Sequence, residues 1–295
     1  MNTTSPHRKL PIGLQNLREI REGDYYYVDK TGLAIDLIES PGKAYFLSRP
    51  RRFGKSLLVD TFKELFEGHR ALFNGLEAEQ RWDWSQCHPV IRISLADGVL
   101  RNRAELDRSL LGLLRTQREA LGIDTPAWLA PEDVAANLAD LIRQASQRYG
   151  QPAVVLVDEY DKPILDNITA PAAALEMREG LKNLYSVLKE ADAHLKFVFF
   201  TGVSKFSKVS LFSGLNQLRD ITIDPHYSAL CGYTDHDLDT VFAPELPGLD
   251  REEIRRWYNG YNWRGTSVYN PFDVLLHLYT RELRSFWFET GTPTF

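Results

Sequence analysis

The sequence contains very little cysteine, and this scarcity excludes two kinds of small scaffold. Its only cysteines, Cys87 and Cys231, lie far apart and outside any CxxC pattern. Two such residues supply neither a disulfide framework nor the closely spaced ligands of a structural zinc site. We therefore expect both thiols to act as small apolar side chains in a core.

Long hydrophobic runs and an excess of positive charge are missing as well. No apolar stretch approaches the ~18 residues that a membrane-spanning helix needs. The opening MNTTSPHRKL lacks the apolar centre of a signal peptide, so we expect a cytoplasmic protein. The formal net charge of −5 disfavours a general nucleic-acid binder, although it leaves room for a local basic groove.

Short apolar runs alternate with stretches of helical periodicity through most of the chain. We predict strands at Ala44–Ser48, in HPVIRISLADG, at 153–157 and in HLKFVFFTGVSKF, and helices from Lys55 to about residue 66 and near 104–121, 131–149 and 172–189. Unbroken apolar strands separated by helices predict an α/β fold, doubly wound around a mainly parallel sheet. Its active edge should lie at the carboxyl ends of the strands.

The chain is predicted to divide into three parts. Residues 1–43 form an N-terminal arm, and residues 44–225 form the α/β core. After residue 225 the pattern changes to short helices, turns and many aromatic residues, which predicts a smaller, mainly helical or winged, lid-like subdomain over 226–295. The sequence ends in GTPTF on an apolar residue, so we expect it to be cut at a domain boundary.

The stretch SRPRRFGKSLL has the features of a phosphate-binding loop. In the pattern GxxxxGK[ST] the first glycine is replaced by Arg49, but the part that contacts phosphate is present. Gly54 permits close backbone approach, Lys55 supplies charge to the outer phosphates, and the Ser56 hydroxyl binds magnesium. Alone, this tripeptide can be a simple helix start; the strand before it and the helix after it favour a nucleotide site. The candidate nucleotide-binding residues of the loop are Arg51, Arg52, Phe53, Gly54, Lys55, Ser56 and Leu57.

The run VVLVDEYD supplies the acidic partner of this loop. Asp158, at the tip of a buried strand, is predicted to hold the magnesium ion, and Glu159 to polarise a water molecule for attack on the γ-phosphate. The alternative is a pair of solvated carboxylates that cap the following turn. Asp161 either contacts the metal through one of its ligands or pairs with Lys162.

A polar residue often ends the strand between the loop strand and the acidic strand, where it senses the γ-phosphate. Thr201 occupies this place and completes the catalytic set with Lys55 and Glu159; Ser204 and Lys205 are nearby candidates. These hydroxyl groups are equally suited to capping the next helical turn.

Five segments together resemble the bacterial AAA-ATPase-like family: LPIGLQNLREIREGDYYYVDKTGLAIDLI, FLSRPRRFGKSLLVDTFKELFEG, VVLVDEYDKPI, FTGVSKFSKVSLFSGLNQLRDIT and WYNGYNW with VYNPFDVL. That family also replaces the first loop glycine. The resemblance implies a P-loop NTPase of the additional-strand, catalytic-glutamate type that uses ATP and Mg²⁺. Members often continue into a restriction-endonuclease-like nuclease domain, but no nuclease motif can be assigned to the residues present.

The resemblance also implies that the arm around residues 25–31 passes near the adenine. Tyr27, Asp29 and Lys30 are then candidate contacts to the base or ribose, together with Val28; the alternative is a β-rich arm that packs on the core. The aromatic residues Trp257, Tyr258, Tyr261, Trp263 and Tyr269 form either a base-stacking platform or, as we favour, the small core of the lid.

Three functions compete on this sequence. The first is a magnesium-dependent ATPase that drives or gates a partner domain or subunit, with oligomer formation left open. The second is a nucleotide-gated interaction module with negligible turnover, and the third is a DNA-processing ATPase, which the net charge disfavours. The arginine that completes the site is Arg51, Arg52, Arg219 or a residue of another subunit.

Overall fold

The computed structural model describes residues 7–204, 211–212, 215 and 217–287 of the chain, and its centre is a parallel sheet. The five strands are β1 (Ala44–Ser48), β2 (Val90–Ser94), β3 (Ala153–Asp158), β4 (Leu195–Gly202) and β5 (Leu218–Asp220). They lie in the order β2-β3-β4-β1-β5, and each neighbouring pair is parallel. The strand β4 therefore separates the loop strand β1 from the acidic strand β3, as predicted.

The central strands are mostly apolar because both faces of the sheet are covered. Alternate side chains point to opposite faces of a strand. Thus Phe46, Val155 and Phe200 belong to one buried cluster, while Leu47 and Leu156 belong to another. Helices close each face, which excludes water from a sheet that would otherwise expose two apolar surfaces.

Eleven α-helices are present in the described residues. Their bounds are α1 (Leu17–Glu22), α2 (Thr31–Glu39), α3 (Lys55–Phe66), α4 (Ala78–Arg81), α5 (Arg103–Leu121), α6 (Val134–Tyr149), α7 (Lys162–Leu165), α8 (Pro171–Glu190), α9 (Asp235–Thr240), α10 (Arg251–Tyr258) and α11 (Pro271–Thr280). Helices α5, α6 and α8 cover one face and α3 covers the other. Capping residues determine where several helices begin and end. The N-cap of α6 is Asp133, whose side chain accepts from Ala136 N, and its C-cap is Gly150, which has left-handed backbone.

The N-terminal arm is shared between the core and the C-terminal part of the chain. Leu17 and Ile35 pack under the sheet with α3, whereas Tyr26 and Val28 pack with residues of α9, α10 and α11. Glu245 strengthens this second contact by accepting from the Tyr26 hydroxyl at 3.0 Å. The boundaries at residues 43 and 225 stay predictions. Residues 26–30, between α1 and α2, form neither helix nor strand, and Tyr25 forms an isolated bridge with Lys9.

The long helices and the strands β1 to β4 agree with the sequence-based prediction to within three residues, whereas several short elements were missed. We did not predict β5, which has three residues, or the helices α1, α4 and α7. The expected cut at the end of the sequence concerns residues 288–295, which lie outside the described part of the chain. Within the described ranges, no helix combines the length and the apolar character needed to cross a membrane.

Candidate phosphate site and base pocket

Three strand ends meet at one edge of the sheet. In the register of the parallel pairs, Ser48 of β1 lies beside Gly202 of β4, and Val157 of β3 lies beside Phe200 of β4. The loop that follows β1, the acidic pair that follows β3 and Thr201 of β4 therefore come together. This is the edge at which open α/β sheets bind ligands.

The loop after β1 ends in a helix N-terminus. Gly54 is the N-cap of α3 and has left-handed backbone with φ 85°, and Lys55 and Ser56 form the first turn. The Lys55 side chain folds back along the loop, so that Nζ donates to the Pro50 carbonyl oxygen at 2.9 Å. The loop thus combines a helix dipole and a cation at one point, which is the arrangement that attracts an anion.

Lys55 is a buried cation that faces a group of carboxylates. It is 6% exposed, and burial lowers the pKa of its ammonium group, although Asp158, Glu159 and Asp161 all act to raise it. Burial lowers this pKa because a low-dielectric surrounding disfavours the charged form. A polyanionic ligand would restore the interactions that the ammonium group loses with water.

The acidic pair Asp158 and Glu159 stands at the end of β3, and the two residues differ in burial and in backbone conformation. Asp158 is 2% exposed, and its Oδ1 lies 3.5 Å from the Thr201 hydroxyl oxygen. Glu159 is only partly buried and has left-handed backbone with φ 53°, which is uncommon for a residue other than glycine. Burial, and secondly the Asp158 charge, raise the pKa of Glu159.

Arg49, which replaces the first loop glycine, is a structural residue. Its side chain is 1% exposed and donates to the carbonyl oxygens of Thr222 and Tyr227 at 2.9 and 3.2 Å. Its guanidinium carbon lies 3.8 Å from the ring centre of Trp263, a cation–π contact. Arg49 thus replaces a flexible glycine with a side chain that the C-terminal part of the chain holds in place.

The next loop residues point in different directions. Arg52, in left-handed backbone with φ 62°, places its guanidinium carbon 4.2 Å from the ring centre of Phe272. Phe53 is fully buried against Tyr261. The charge of Arg51, by contrast, acts on Glu159, whose pKa it lowers. Arg52 therefore packs on the C-terminal subdomain, while the charge of Arg51 is felt by the acidic pair.

A mostly apolar pocket lies beside the start of α3, and we call it the arm pocket. Its lining comes from the arm, from the loop with α3, and from the segment before α9, with Pro271: Tyr27, Val28, Lys30, Phe53, Gly54, Leu57, Leu58, Thr61, Leu230, Cys231, Gly232, Tyr233 and Pro271. Tyr27, Lys30, Phe53, Gly54 and Leu57 were among the predicted cofactor-binding residues. A concave, apolar site with a few polar groups is typical of small-molecule binding.

Asp29, also predicted to bind the base or ribose, has a different position. It is not among the described residues that line the arm pocket. Its carboxylate accepts from the Thr31 amide and hydroxyl at 2.8 and 2.7 Å and from the Glu77 amide at 2.7 Å. Asp29 therefore fixes the entry to α2. Lys30 lines the pocket but also pairs with Asp237 at 2.6 Å.

Sequence reasoning missed the far wall of the arm pocket. Leu230, Cys231, Gly232 and Tyr233 belong to ALCGYTD, which carries no nucleotide motif. The only available signal was a small glycine before Thr234, which caps α9 in a capping box. Such a pattern predicts a helix start and a close contact of the glycine backbone, but it does not identify the residue that is contacted.

One of the two alternatives for Asp161 was wrong. Lys162 pairs with Asp166 at 2.6 Å rather than with Asp161, whose carboxylate accepts from the Ser204 amide and hydroxyl, both at 2.7 Å. The Ser204 hydroxyl is thus bound by a carboxylate, and the alternative of a cap on the next turn concerns residues 205–210, which lie outside the described part of the chain. Lys205 lies outside the described residues.

Of the five aromatic residues predicted as a group, two form the core of the subdomain, as we favoured, two pack on the phosphate loop and one is exposed. Tyr258 and Tyr269 are buried in the subdomain, while Tyr261 and Trp263 pack against Phe53 with ring centres 4.8 and 5.3 Å away. Only Trp257 of this group is exposed, at 48%. The group therefore connects the subdomain to the loop.

The model of the family described as "Predicted AAA-ATPase" matches residues 11–212. The chain belongs to this family. The match begins in the arm and extends past the acidic strand and Thr201, so it contains the loop and the strand ends described above. It confirms the resemblance found in the sequence, and the observed sheet with its loop after β1 agrees with a P-loop NTPase fold.

Two further similarities accompany the "Predicted AAA-ATPase" match. A protein of Azotobacter chroococcum mcd 1, named "Uncharacterized protein in vnfD 5'region", is 61% identical over 289 residues. The alignment covers 98% of this chain and 55% of that protein, so the chain spans about half the length of this relative. A chain in the solved "Structure of Drosophila ORC bound to AT-rich DNA and Cdc6" is similar with a TM-score of 0.30 and 13% identity, over 72% of this chain and 29% of that one.

Proposed function

We propose that this protein binds ATP with magnesium and hydrolyses it at the edge where β1, β3 and β4 end. The observation that supports this proposal best is the convergence of Lys55, the acidic pair and Thr201, with Thr201 Oγ1 3.5 Å from Asp158 Oδ1. A cation at a helix N-terminus, a carboxylate pair and a hydroxyl are the groups that phosphoryl transfer requires.

The oxygen atoms at this edge suit magnesium. The Ser56 hydroxyl and the Asp158 carboxylate are the hard oxygen ligands that this ion prefers, and it commonly keeps several waters beside such ligands. Bound there, magnesium would neutralise charge on the β- and γ-phosphates. In this proposal Ser56 and Asp158 are its protein ligands.

The chemistry then divides among residues of this chain. The backbone amides at the start of α3 and the Lys55 ammonium group bind the phosphates. Glu159 accepts the proton of the attacking water, for which a carboxylate with a raised pKa is suited. The Thr201 hydroxyl donates to the γ-phosphate, and Arg51, whose charge acts on Glu159, is the loop arginine proposed to assist.

The arm pocket is the proposed site of the adenine and ribose. Its apolar walls suit a flat aromatic ring. Because Gly54 and Leu57 line the pocket, it lies next to the phosphate loop. Tyr27 and Lys30 supply polar contacts. A nucleotide in this position would touch the arm, the core and the C-terminal subdomain at once.

Calorimetry tests the proposal directly. Titration of the purified chain with ATP should give saturable heat that is larger with magnesium, and AMP should bind at least about tenfold more weakly because it lacks the β- and γ-phosphates. Release of inorganic phosphate should accompany binding over time. Absence of ATP binding with magnesium present would exclude the proposed function, while bound ATP that stays intact for hours would favour a nucleotide-gated module.

Gly232→Ala should weaken ATP binding through the arm pocket. An alanine Cβ there would lie 2.8 Å from a Phe53 ring carbon and 2.9 Å from Val268 Cβ, on backbone with φ 94°. We expect the ATP dissociation constant to rise about tenfold, because the pocket wall must move away from Phe53. Gly248→Ala is the matched control, since Gly248 has φ 83° with open space around it.

Both glycine variants should lose about 1 kcal/mol or more of stability from backbone strain. Only Gly232→Ala should change the affinity. Equal ATP dissociation constants for Gly232→Ala and the unaltered protein would show that the nucleotide does not use this pocket.

We also propose that nucleotide binding drives or gates the activity of a further domain or of a protein partner. The contacts of the loop with Trp263 and Phe272 support such gating, because a change at the phosphates would reach the C-terminal subdomain. The greater length of the 61% identical relative is compatible with a further domain. A DNA-processing role would require a salt-dependent mobility shift with DNA.

A further inference from the structure

The segment after β3 and the segment after β4 are joined by a carboxylate that the proposed chemistry does not use. Asp161 is 1% exposed. Its Oδ2 accepts from Val203 N at 3.1 Å, from Ser204 N at 2.7 Å and from Ser204 Oγ at 2.7 Å. A carboxylate that accepts three hydrogen bonds from one short segment holds that segment in a single geometry.

Tyr160 adds two hydrogen bonds between the same segments. Its amide donates to the Thr201 carbonyl oxygen at 3.0 Å, and its hydroxyl donates to the Ser204 carbonyl oxygen at 2.9 Å. Gly202 lies directly beneath, where a Cβ would come within 2.4 Å of the Tyr160 ring and 2.6 Å of Asp161 Oδ1. We call this set of contacts between residues 160–161 and 201–204 the clasp.

The clasp also reaches the strand that carries the phosphate loop. The Ser48 hydroxyl, at the end of β1, donates to the Val203 carbonyl oxygen at 2.8 Å, and the Arg49 amide donates to the Gly202 carbonyl oxygen at 3.2 Å. The ends of β3, β4 and β1 are therefore fixed relative to one another by hydrogen bonds outside the sheet.

We propose that Asp161 is a positioning residue that holds the Thr201 hydroxyl and Glu159 at the distance needed to act on the same γ-phosphate. Glu159 lies two residues before Asp161 and Thr201 two residues before Val203, so each group is adjacent to an anchored point. This inference rests on the proposed function and deepens it. Asp161 acts through Thr201 and Glu159 and does not itself contact the substrate.

Asp161→Asn tests this role. Asparagine has nearly the same volume but a single acceptor oxygen, and its NH₂ group would face amide donors. We expect kcat for ATP hydrolysis to fall about 30-fold, since small displacements of catalytic groups have effects of this order. The ATP dissociation constant should stay within about twofold, because the phosphate loop is unchanged. A residue that served stability alone would not separate kcat from binding in this way.

Two further variants make the result specific. Ser204→Ala removes one of the three donors to Asp161 Oδ2 and should lower kcat about threefold; the double variant should be no worse than Asp161→Asn alone, since both remove parts of one network. Asp140→Asn is the control: Asp140 is equally buried and pairs with Arg118 at 2.7 Å between α5 and α6. It should lower the melting temperature and leave kcat unchanged.

The outcomes separate the two proposals. Turnover by the unaltered protein with an unchanged kcat in Asp161→Asn would overturn the positioning role alone. Absence of turnover in the unaltered protein would overturn the proposed function and this role together. If Asp161→Asn does not fold, Ser204→Ala decides: an unchanged kcat in that variant contradicts the positioning role.

Discussion

Lys55→Ala is expected to lower the affinity for ATP about 100-fold, because it removes a charge-assisted hydrogen bond to phosphate. The ammonium group is buried at the N-terminus of α3, and the charges of Asp158, Glu159 and Asp161 act on it. With it removed, those carboxylates would repel the phosphates without compensation. Calorimetry with ATP and magnesium measures the change, and turnover should become undetectable.

The loss should not result from unfolding. Burial already lowers the pKa of Lys55, which means that the folded protein disfavours the charge. We therefore expect the melting temperature without nucleotide to stay the same or rise in Lys55→Ala. Lys63→Ala is the matched control, since it removes a lysine from the same helix that pairs with Glu67 at 2.6 Å. An ATP affinity that falls equally in both variants would contradict the proposed role of Lys55.

Glu159→Gln is expected to lower kcat about 100- to 1,000-fold, the range over which removal of a general base acts. Glutamine keeps the shape of the side chain but does not take a proton from water. ATP should still bind, because the loop, Ser56 and Asp158 are intact. A single-turnover experiment should therefore show ATP held by the variant and hydrolysed slowly.

Asp166→Asn controls for the loss of a carboxylate in the same region. Asp166 follows α7, pairs with Lys162 and is outside the proposed catalytic set, so kcat should stay within about twofold. If Glu159→Gln hydrolyses ATP at the rate of the unaltered protein, another group must activate the water. Loss of ATP binding by Glu159→Gln would instead indicate a structural or metal-binding role for this carboxylate.

The central part of the fold could be predicted because its signals are local. The run from Ala153 to Val157 is apolar throughout and fully buried, which is the pattern of a strand covered on both faces. The phosphate loop could be recognised without its first glycine because Gly54, Lys55 and Ser56 stand between a strand and a helix. The placement of Thr201 beside Asp158 followed from the expected strand order and is observed.

The remainder depends on contacts between residues that are distant in sequence. The wall of the arm pocket around Gly232 reaches Phe53 only through the packing of the C-terminal subdomain. The partner of Asp161 is likewise 43 residues away along the chain, at Ser204. The local sequence around Gly232 or Asp161 does not predict which residue each contacts. The strand β5 is too short to give a periodic signal.

The burial of Arg49 has a consequence for the order in which the molecule is assembled. Its side chain is bound by carbonyl groups 173 and 178 positions later in the chain, and by the ring of Trp263 beyond them. Contacts of such separation form late, because the intervening chain must close first. During synthesis from the N-terminus, the phosphate loop is therefore expected to reach its final shape only after the C-terminal segment has emerged and docked. A nascent chain is therefore expected to bind no nucleotide until the residues up to Trp263 have left the ribosome.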